Sequence, residues 1–578
     1  MTNYAATLAS DLVRYRLDTR NRPLRLLLDR PDSGNDQLLP QRVCGDESVC
    51  GGFAFQILCV SENATLPLKA FIGLPCELQI VTDRGNLRRL CGIVTAAASG
   101  QGDRGMATYK LTMRDALAVM DGSLNTRMFR DKNELEIIQL LLKQWQKGNP
   151  VLASTFDFHI DDGLLNRQFP RRSQTMQLNE SDAGFVRRLM QRRGIAWFFR
   201  PGLANAHRAA GGHAPPRIGH TLVLFDDAMC LERNTAGGIR FHRDAATEQR
   251  DAITGWSGER TLVPGNASLH SWDYLNPGGA TFMTASSRSH ADQGDTGNQL
   301  AAALDDYRVA APHLGDSPRD LLLQGDARMA RHEYVSKCFH GEGGVRDLAV
   351  GEWFSFEGHP EIDTHPADER AFVVTEQRIV AVNNLPAELG ERVERLFARS
   401  GWDSGADAGI AGNGQAQLRY RTSFSCVRRG VRIVPPPPTL PIPQLQTAIV
   451  VGPQNEEVWC DHLGRVKIRF PATRPQDHAH AGGVGSSDSD GDSAWVRRGL
   501  GLGRQWSGPR RPVRRPPVAT GWRRGPGCLR RRRSRQAGHR LAGLQRRRPS
   551  PAVPVRGRLA RQPSSIRPAQ PRSGRPAR

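Results

Sequence analysis

Three stretches of the 578-residue sequence bring reactive side chains together. Cys460, Asp461 and His462 supply a thiol, a carboxylate and an imidazole in consecutive positions. Adjacent residues on a strand point to opposite faces, so such neighbours do not converge on one substrate. A turn is the expected reading. Glu180, Ser181 and Asp182 place two carboxylates around a hydroxyl just ahead of a helical pattern. Paired carboxylates can do general acid–base work, yet anions at a helix N-terminus also complement the helix dipole, and that structural role suffices. Residues 486–492, SSDSDGD, look like half of a calcium loop. A bidentate Glu is needed at the twelfth position, where counting from Asp488 gives Gly499. His478 and His480 have no cysteine or carboxylate at ligand spacing. GxSxG, HExxH and phosphate-loop patterns are absent. The expectation is a protein with no catalytic residue, no cofactor and no metal site.

The elements that must position these residues are mostly strands. Residues 50–125 read as hairpin-spaced strands, with Phe53 and Phe55 in the alternation of a half-buried strand. Residues 83–86, DRGN, make a turn between two of them. Residues 133–145 read as a helix with Asn133 as cap and Glu136 completing a capping box. Leu135, Ile138, Leu142 and Trp145 form its apolar face. A second helix is expected over residues 181–193, ended by Gly194. Strands follow at IAWFFR, HTLVLFD, TEQRD (residues 247–251), DAITGWSGERTLV and ATFMTASS. Residues 300–337 look helical and charged, and VGEWFSFEG and RAFVVTEQRIVA return to strands. The Gly/Ala-rich residues 401–416 suggest a surface loop, and Pro435–Pro438 with Pro441 and Pro443 a stiff connector. Beyond it TAIVVG, EVWCD and GRVKIRF suit the opening of a small OB-type barrel, followed by the fragment AWVRR.

A net charge of +22 invites a nucleic-acid reading, but its distribution argues otherwise. Residues 497–578 carry 25 arginines and no lysine or acidic residue, which leaves the remaining 496 residues near −3. The body is nearly neutral, so no specific nucleic-acid partner is expected. No run of about 18 apolar residues occurs, and the N-terminus lacks a signal peptide's basic-then-apolar order. Cytoplasmic synthesis with export by another route is the expectation. Ten cysteines without a C-x-x-C pair read as buried free thiols, a Cys44–Cys50 bridge being the alternative.

Residues 177–199, QLNESDAGFVRRLMQRRGIAWFF, resemble the most diagnostic stretch of the VgrG spike proteins of type VI secretion systems. Other segments match the same family in order. They include CGIVT at 91–95, NTRMFRDKNELEII at 125–138, HTLVLFDD at 220–227 and DAITGWSGERTLVPG at 251–265. VVTEQRIVAVNNLP at 373–386, TAIVVGPQNEEVWCDHLGRVKIRF at 447–470 and SAWVR at 493–497 continue the series. The resemblance runs from about residue 50 to 497. It implies a mainly β fold with helical insertions (α+β): tandem phage tail-hub-like β-barrel domains over 1–434, a Pro-rich linker over 435–446 and a partial OB-fold over 447–497. It also implies a homotrimer seated on an Hcp-like tube protein among baseplate components. Such an assembly carries effector or adaptor proteins, is exported through its own apparatus and meets the target membrane mechanically. The alternative is a hub in a prophage's contractile tail.

The pattern breaks after Arg497. From Gly499 onward there is no Lys, Asn, Phe, Tyr, Met, Asp or Glu. A high-charge, proline-rich stretch of this kind cannot bury a core, so residues 498–578 are expected to form a disordered basic tail. The residue types that persist have mostly G/C-rich codons, which suggests a frameshift near codon 497. Resequencing the locus decides this, and a clean frame with no OB or needle sequence in the other two would reject it. The resulting OB segment is truncated, and unpaired strand edges are an aggregation hazard.

Overall fold

The computed structural model describes residues 22–30, 38–103, 105–204, 218–243, 250–273, 283–310, 314–315, 317–402, 419–439, 447–453, 459–469 and 494–497. They fall into two units, one reaching residue 439 and one comprising the described residues from 447 on.

The first unit is built on β1 (Leu24–Leu28), β2 (Leu39–Ser48), β3 (Gly52–Ser61), β4 (Pro75–Val81), β5 (Leu87–Asp103) and β6 (Met106–Arg114), paired in the order β1-β4-β5-β6-β3-β2. Phe53, Phe55, Ile57 and Cys59 of β3 alternate into the enclosed core with Leu78, Ile80, Leu111 and Met113. The sheet curls until β1 faces β2, and the Asn383 amide closes the seam. It donates to Pro40 O (2.7 Å) and Leu24 O (3.2 Å). The seam of the barrel is thus bridged by a side chain, with no β1–β2 ladder among the described residues. The DRGN turn is present, with Gly85 at φ 81°. Strands β1 and β2 precede the region from which strands were expected.

An insertion follows: α1 (Ala116–Met120), β7 (Leu124–Phe129), α2 (Glu134–Gly148), α3 (Pro150–Thr155), β8 (Phe156–Ile160), α4 (Asp162–Leu165), β9 (Thr175–Ser181), α5 (Asp182–Arg193), β10 (Ala196–Pro201) and β11 (His220–Phe225). The capping box forms at Asn133 and Glu136, both bonds being present. Leu135, Ile138 and Leu142 are buried as expected, and Ile137 and Leu141 widen the buried face. Ser181 caps α5, and Gly194 ends it in the left-handed region.

A second barrel uses β12 (Arg233–Arg240), β13 (Ile253–Arg260), β17 (Lys337–Gly343), β18 (Trp353–Glu357), β19 (Ala371–Val382) and β20 (Tyr420–Arg428). Its ladder runs β12-β18-β19-β20-β17-β13 and closes through a parallel bridge between Phe241 and Ile253. Trp256, Phe339, Phe354, Phe356 and Phe372 interlock inside it, most of them edge to face. Strand β19 belongs to both barrels. Residues 371–373 pair with β18, then a bulge at Thr375 shifts the register, and Glu376–Val382 pair with β2.

Between β13 and β17 lie β14 (Asn266–Ser271), β15 (Met283–Arg288), α6 (Gly294–Ala303), β16 (Asp305–Val309) and α7 (Pro318–Ser336). The expected helix over 300–337 is therefore corrected. Asp305–Val309 is a strand, parallel to β14, because pairing across the sheet overrides local propensity. The strand expected over 247–251 is not found in its described part: residues 250 and 251 are irregular. Helix α8 (Ala387–Arg399) was not anticipated. It buries Val393, Leu396 and Phe397 against Leu58 and Val60, so β3 is covered on both faces. Residues 403–418, which hold most of the expected Gly/Ala loop, lie outside the described residues.

The proline run begins docked rather than free. Ile433, Val434 and Pro435 are buried, and Arg331 Nε donates to Pro435 O at 2.6 Å. In the second unit β21 (Ile449–Val450), β22 (Arg465–Arg469) and β23 (Ala494–Arg497) form one antiparallel sheet. Residues 459–461 of EVWCD form no strand, and the AWVRR segment supplies the third strand instead. Trp459 and Trp495 stack across it at 6.3 Å. The tail 498–578 lies outside the described residues.

Candidate functional site

Glu180, Ser181, Asp182 and Asp461 are each committed to holding structure. Ser181 Oγ accepts from Gly184 N (2.9 Å) and donates to Asp121 Oδ1 (3.0 Å). Glu180 is clamped by Arg188 from both Nε (2.9 Å) and Nη2 (2.9 Å). Asp182 is 1% exposed and accepts from Asn125 and Gln177 at one oxygen, both at 2.8 Å, and from the Trp145 indole (2.9 Å) and Arg127 (3.4 Å) at the other. A carboxylate with that many donors is a fully satisfied anchor for the start of α5, not a proton-transfer group. The dipole reading of Asp182 was thus too modest, because its partners come from β7, α2 and β9. Replacing Ser181 with Ala should cost about 1 kcal/mol, the worth of an N-cap. Urea unfolding checks this, and a loss several times larger would mean that the hydroxyl does more than cap.

Asp461 likewise holds a turn, accepting from the Leu463 and Arg465 backbone N–H groups (3.0 and 2.8 Å) and from the Arg465 guanidinium (2.5 Å). Cys460 and His462 beside it are exposed. His478, His480 and residues 486–492 lie outside the described residues. Among the described residues no group of three or more His, Cys, Asp and Glu is arranged to hold a metal ion. No described helix is long and apolar enough to cross a membrane. Cys44 and Cys50 are not joined in a disulfide, which removes the bridge alternative. Cys59, Cys76, Cys91 and Cys426 are buried as expected, whereas Cys230 and Cys460 are exposed.

What the structure gathers instead are buried polar clusters between elements. Glu134, 0% exposed at the start of α2, faces Arg193 (2.8 Å), Arg172 (3.0 Å) and Arg192 (3.7 Å). Arg193 also reaches Asp320 of α7 at 2.6 Å. Burial alone would raise the Glu134 carboxyl, but the three guanidinium groups outweigh it and hold it down at about 2. This cluster ties the first insertion to the second. At the barrel junction Arg88 of β5 donates to Glu47 of β2 (2.6 Å), Gln377 of β19 (2.9 Å) and the Tyr420 hydroxyl of β20 (3.1 Å). Arg346 grips Asp251 with two bonds of 2.8 Å and reaches Val81 O at 3.1 Å. Sequence reading missed these groups because each partner lies tens to hundreds of residues away. The only local signal was the unusual run of arginines around α5.

A sequence profile of the phage tail baseplate hub (GPD) family matches residues 46–385. The chain belongs to the phage tail baseplate hub family. The matched range runs from β2 through both insertions to the end of β19, so it covers the strands that unite the two barrels of the hub. Among curated proteins, the type VI secretion system spike proteins VgrG1b and VgrG1a of Pseudomonas aeruginosa are 27% and 25% identical to it. The alignments take in 83% and 82% of this chain but 56% and 63% of theirs, so the hub spans little more than half of those relatives. Among solved structures, the E. coli c3393 protein is described as a component of the type VI secretion system similar to bacteriophage T4 tail proteins gp27 and gp5. It superposes with a TM-score of 0.50 at 14% identity, over 82% of this chain and 93% of that one. That likeness shows the fold, a mainly β tail-hub architecture with helical insertions.

Proposed function

We propose that the chain is the structural hub of a type VI secretion spike and that it catalyses no reaction. The observation that carries this reading is the run of spike-protein relatives along more than four fifths of the chain, within a baseplate-hub family. Three copies assemble into a collar on an Hcp-like tube protein, among baseplate components. Contraction pushes the collar outward, effector or adaptor proteins travel with it, and the target-cell membrane is met mechanically. The chain is made in the cytoplasm and leaves through the apparatus itself. Residues 1–434 act as the hub, 435–446 as the connector and 447–497 as the start of an OB-fold leading toward a shaft.

The chemistry of the interior supports a mechanical role. Two barrels, a shared strand and buried ion clusters give a body that resists deformation, because packed interiors transmit strain instead of absorbing it. Sedimentation equilibrium of the full chain tests the reading. A mass of three chains is expected. A chain that stays monomeric at every concentration while turning over a substrate would overturn both the assembly and its non-enzymatic character.

A further inference from the structure

A cavity of 280 Å³ opens where the two barrels and β10 of the first insertion meet. One side is apolar and aromatic, formed by Phe53, Phe55, Phe198 and Phe199. The other side is polar and unusually incomplete. His220 is 1% exposed, and its Nε2 accepts from the Ala116 backbone N–H at 3.0 Å. Its Nδ1 therefore carries the proton, and that donor has no partner among the described residues. Arg88 is 7% exposed, and its Nε–H also lacks a partner although both terminal nitrogens are bonded. Burying a donor without an acceptor is costly, so two of them lining one space point to something that fills it.

The acceptors facing these donors are also underused. Glu352 receives a bond from Asn234 (2.7 Å) and, among the described residues, faces no cation at ion-pair distance. Asp347 receives one from the Thr235 hydroxyl (3.3 Å). Burial holds the Glu352 carboxyl up to about 7, so near neutral pH it both donates and accepts. The cations in the lining are already matched: Arg88 by Glu47, Arg89 by Glu77 and Arg200 by Glu232. An anionic guest would find no free countercharge among these matched cations. The space accepts hydrogen bonds, donates them, and presents ring faces to a flat apolar surface.

We propose that this cavity binds a small uncharged polyhydroxylated ligand, a single sugar ring in size, with its hydroxyls on His220, Arg88, Glu352 and Asp347 and its C–H face on the phenylalanine rings. The volume lies just below the ~300 Å³ at which small-molecule sites begin, and it would otherwise hold about nine waters at ~30 Å³ each.

Titration calorimetry of the full chain with glucose, N-acetylglucosamine and, as a charged control, sodium acetate tests this. Saturable one-to-one binding of at least one sugar is expected. Ala349→Leu, which fills the cavity from its wall, should abolish it. Glu352→Leu should weaken it about tenfold, the effect of one lost hydrogen bond. If Ala349→Leu does not fold, Thr235→Val on the same wall replaces it and should weaken binding in the same direction. No saturation with either sugar, acetate binding more tightly than both, or sugar binding unchanged in the folded variants would each overturn the proposal. So would a structure at sugar saturation showing water alone in the cavity.

Discussion

Glu134→Gln is expected to destabilise the first unit by about 3–5 kcal/mol, because it removes the one buried carboxylate shared by three guanidinium groups. The substitution keeps the side chain's size and its acceptor oxygen, so packing changes little. What is lost is the charge that Arg172 and Arg193 face at 3.0 and 2.8 Å. Asp320 still compensates Arg193, so the cost falls most heavily on Arg172 and Arg192. The pH dependence carries the sign of the effect. In the folded chain this carboxyl titrates at about 2, below its ordinary 4.5. Its contribution is therefore fully present above 4.5 and lost as the pH falls toward 2. Urea unfolding of both proteins from neutral pH downward should show a wide gap that narrows through this acid range. A gap that stayed constant with pH would mean that the loss comes from packing rather than charge.

Gly351→Ala is expected to be costly for a different reason. Gly351 sits at φ 78° just before β18, and its N–H donates to Val374 O at 3.0 Å. An added Cβ would lie 2.4 Å from the Phe198 ring. The left-handed conformation costs about 1–2 kcal/mol for a residue with a Cβ. Forcing a methyl into a filled core adds about 1–3 kcal/mol. The two terms can be separated in a double-mutant cycle with Phe198→Val, which removes the ring. In that background the penalty should shrink to the backbone part alone, read as the difference in urea midpoints. Equal penalties in both backgrounds would show that the ring moves aside without resistance.

How much of this was legible in the sequence depends on how local each signal is. The capping box at Asn133 and Glu136, the Ser181 cap and the Gly194 stop are written within one or two helical turns, and all three form. The alternation of Phe53 and Phe55 likewise states which face of β3 is inside. Asp305–Val309 failed the other way. Its residues sit in a charged, helix-like stretch, and only the parallel partner β14, some forty residues earlier, makes it a strand. Helix α8 carries its signal locally, in an apolar stripe at Leu389, Val393, Leu396 and Phe397. The first strands escaped because β1 is short and β2 is largely polar, and both are fixed by barrel closure rather than by their own composition. The Glu134 and Arg88 clusters could not have been found this way at all. Their members are joined only when distant elements fold against each other, and no spacing rule links Arg88 with Gln377 and Tyr420.

Strand β19 has one more consequence. A body made of two rings with a common stave has no joint between them, since bending at that place means breaking ladder bonds on both sides at once. A thrust applied to either ring passes to the other along an unbroken peptide rather than across a surface that could slip. Such a piece behaves under impact as a single casting, and it yields all together or not at all.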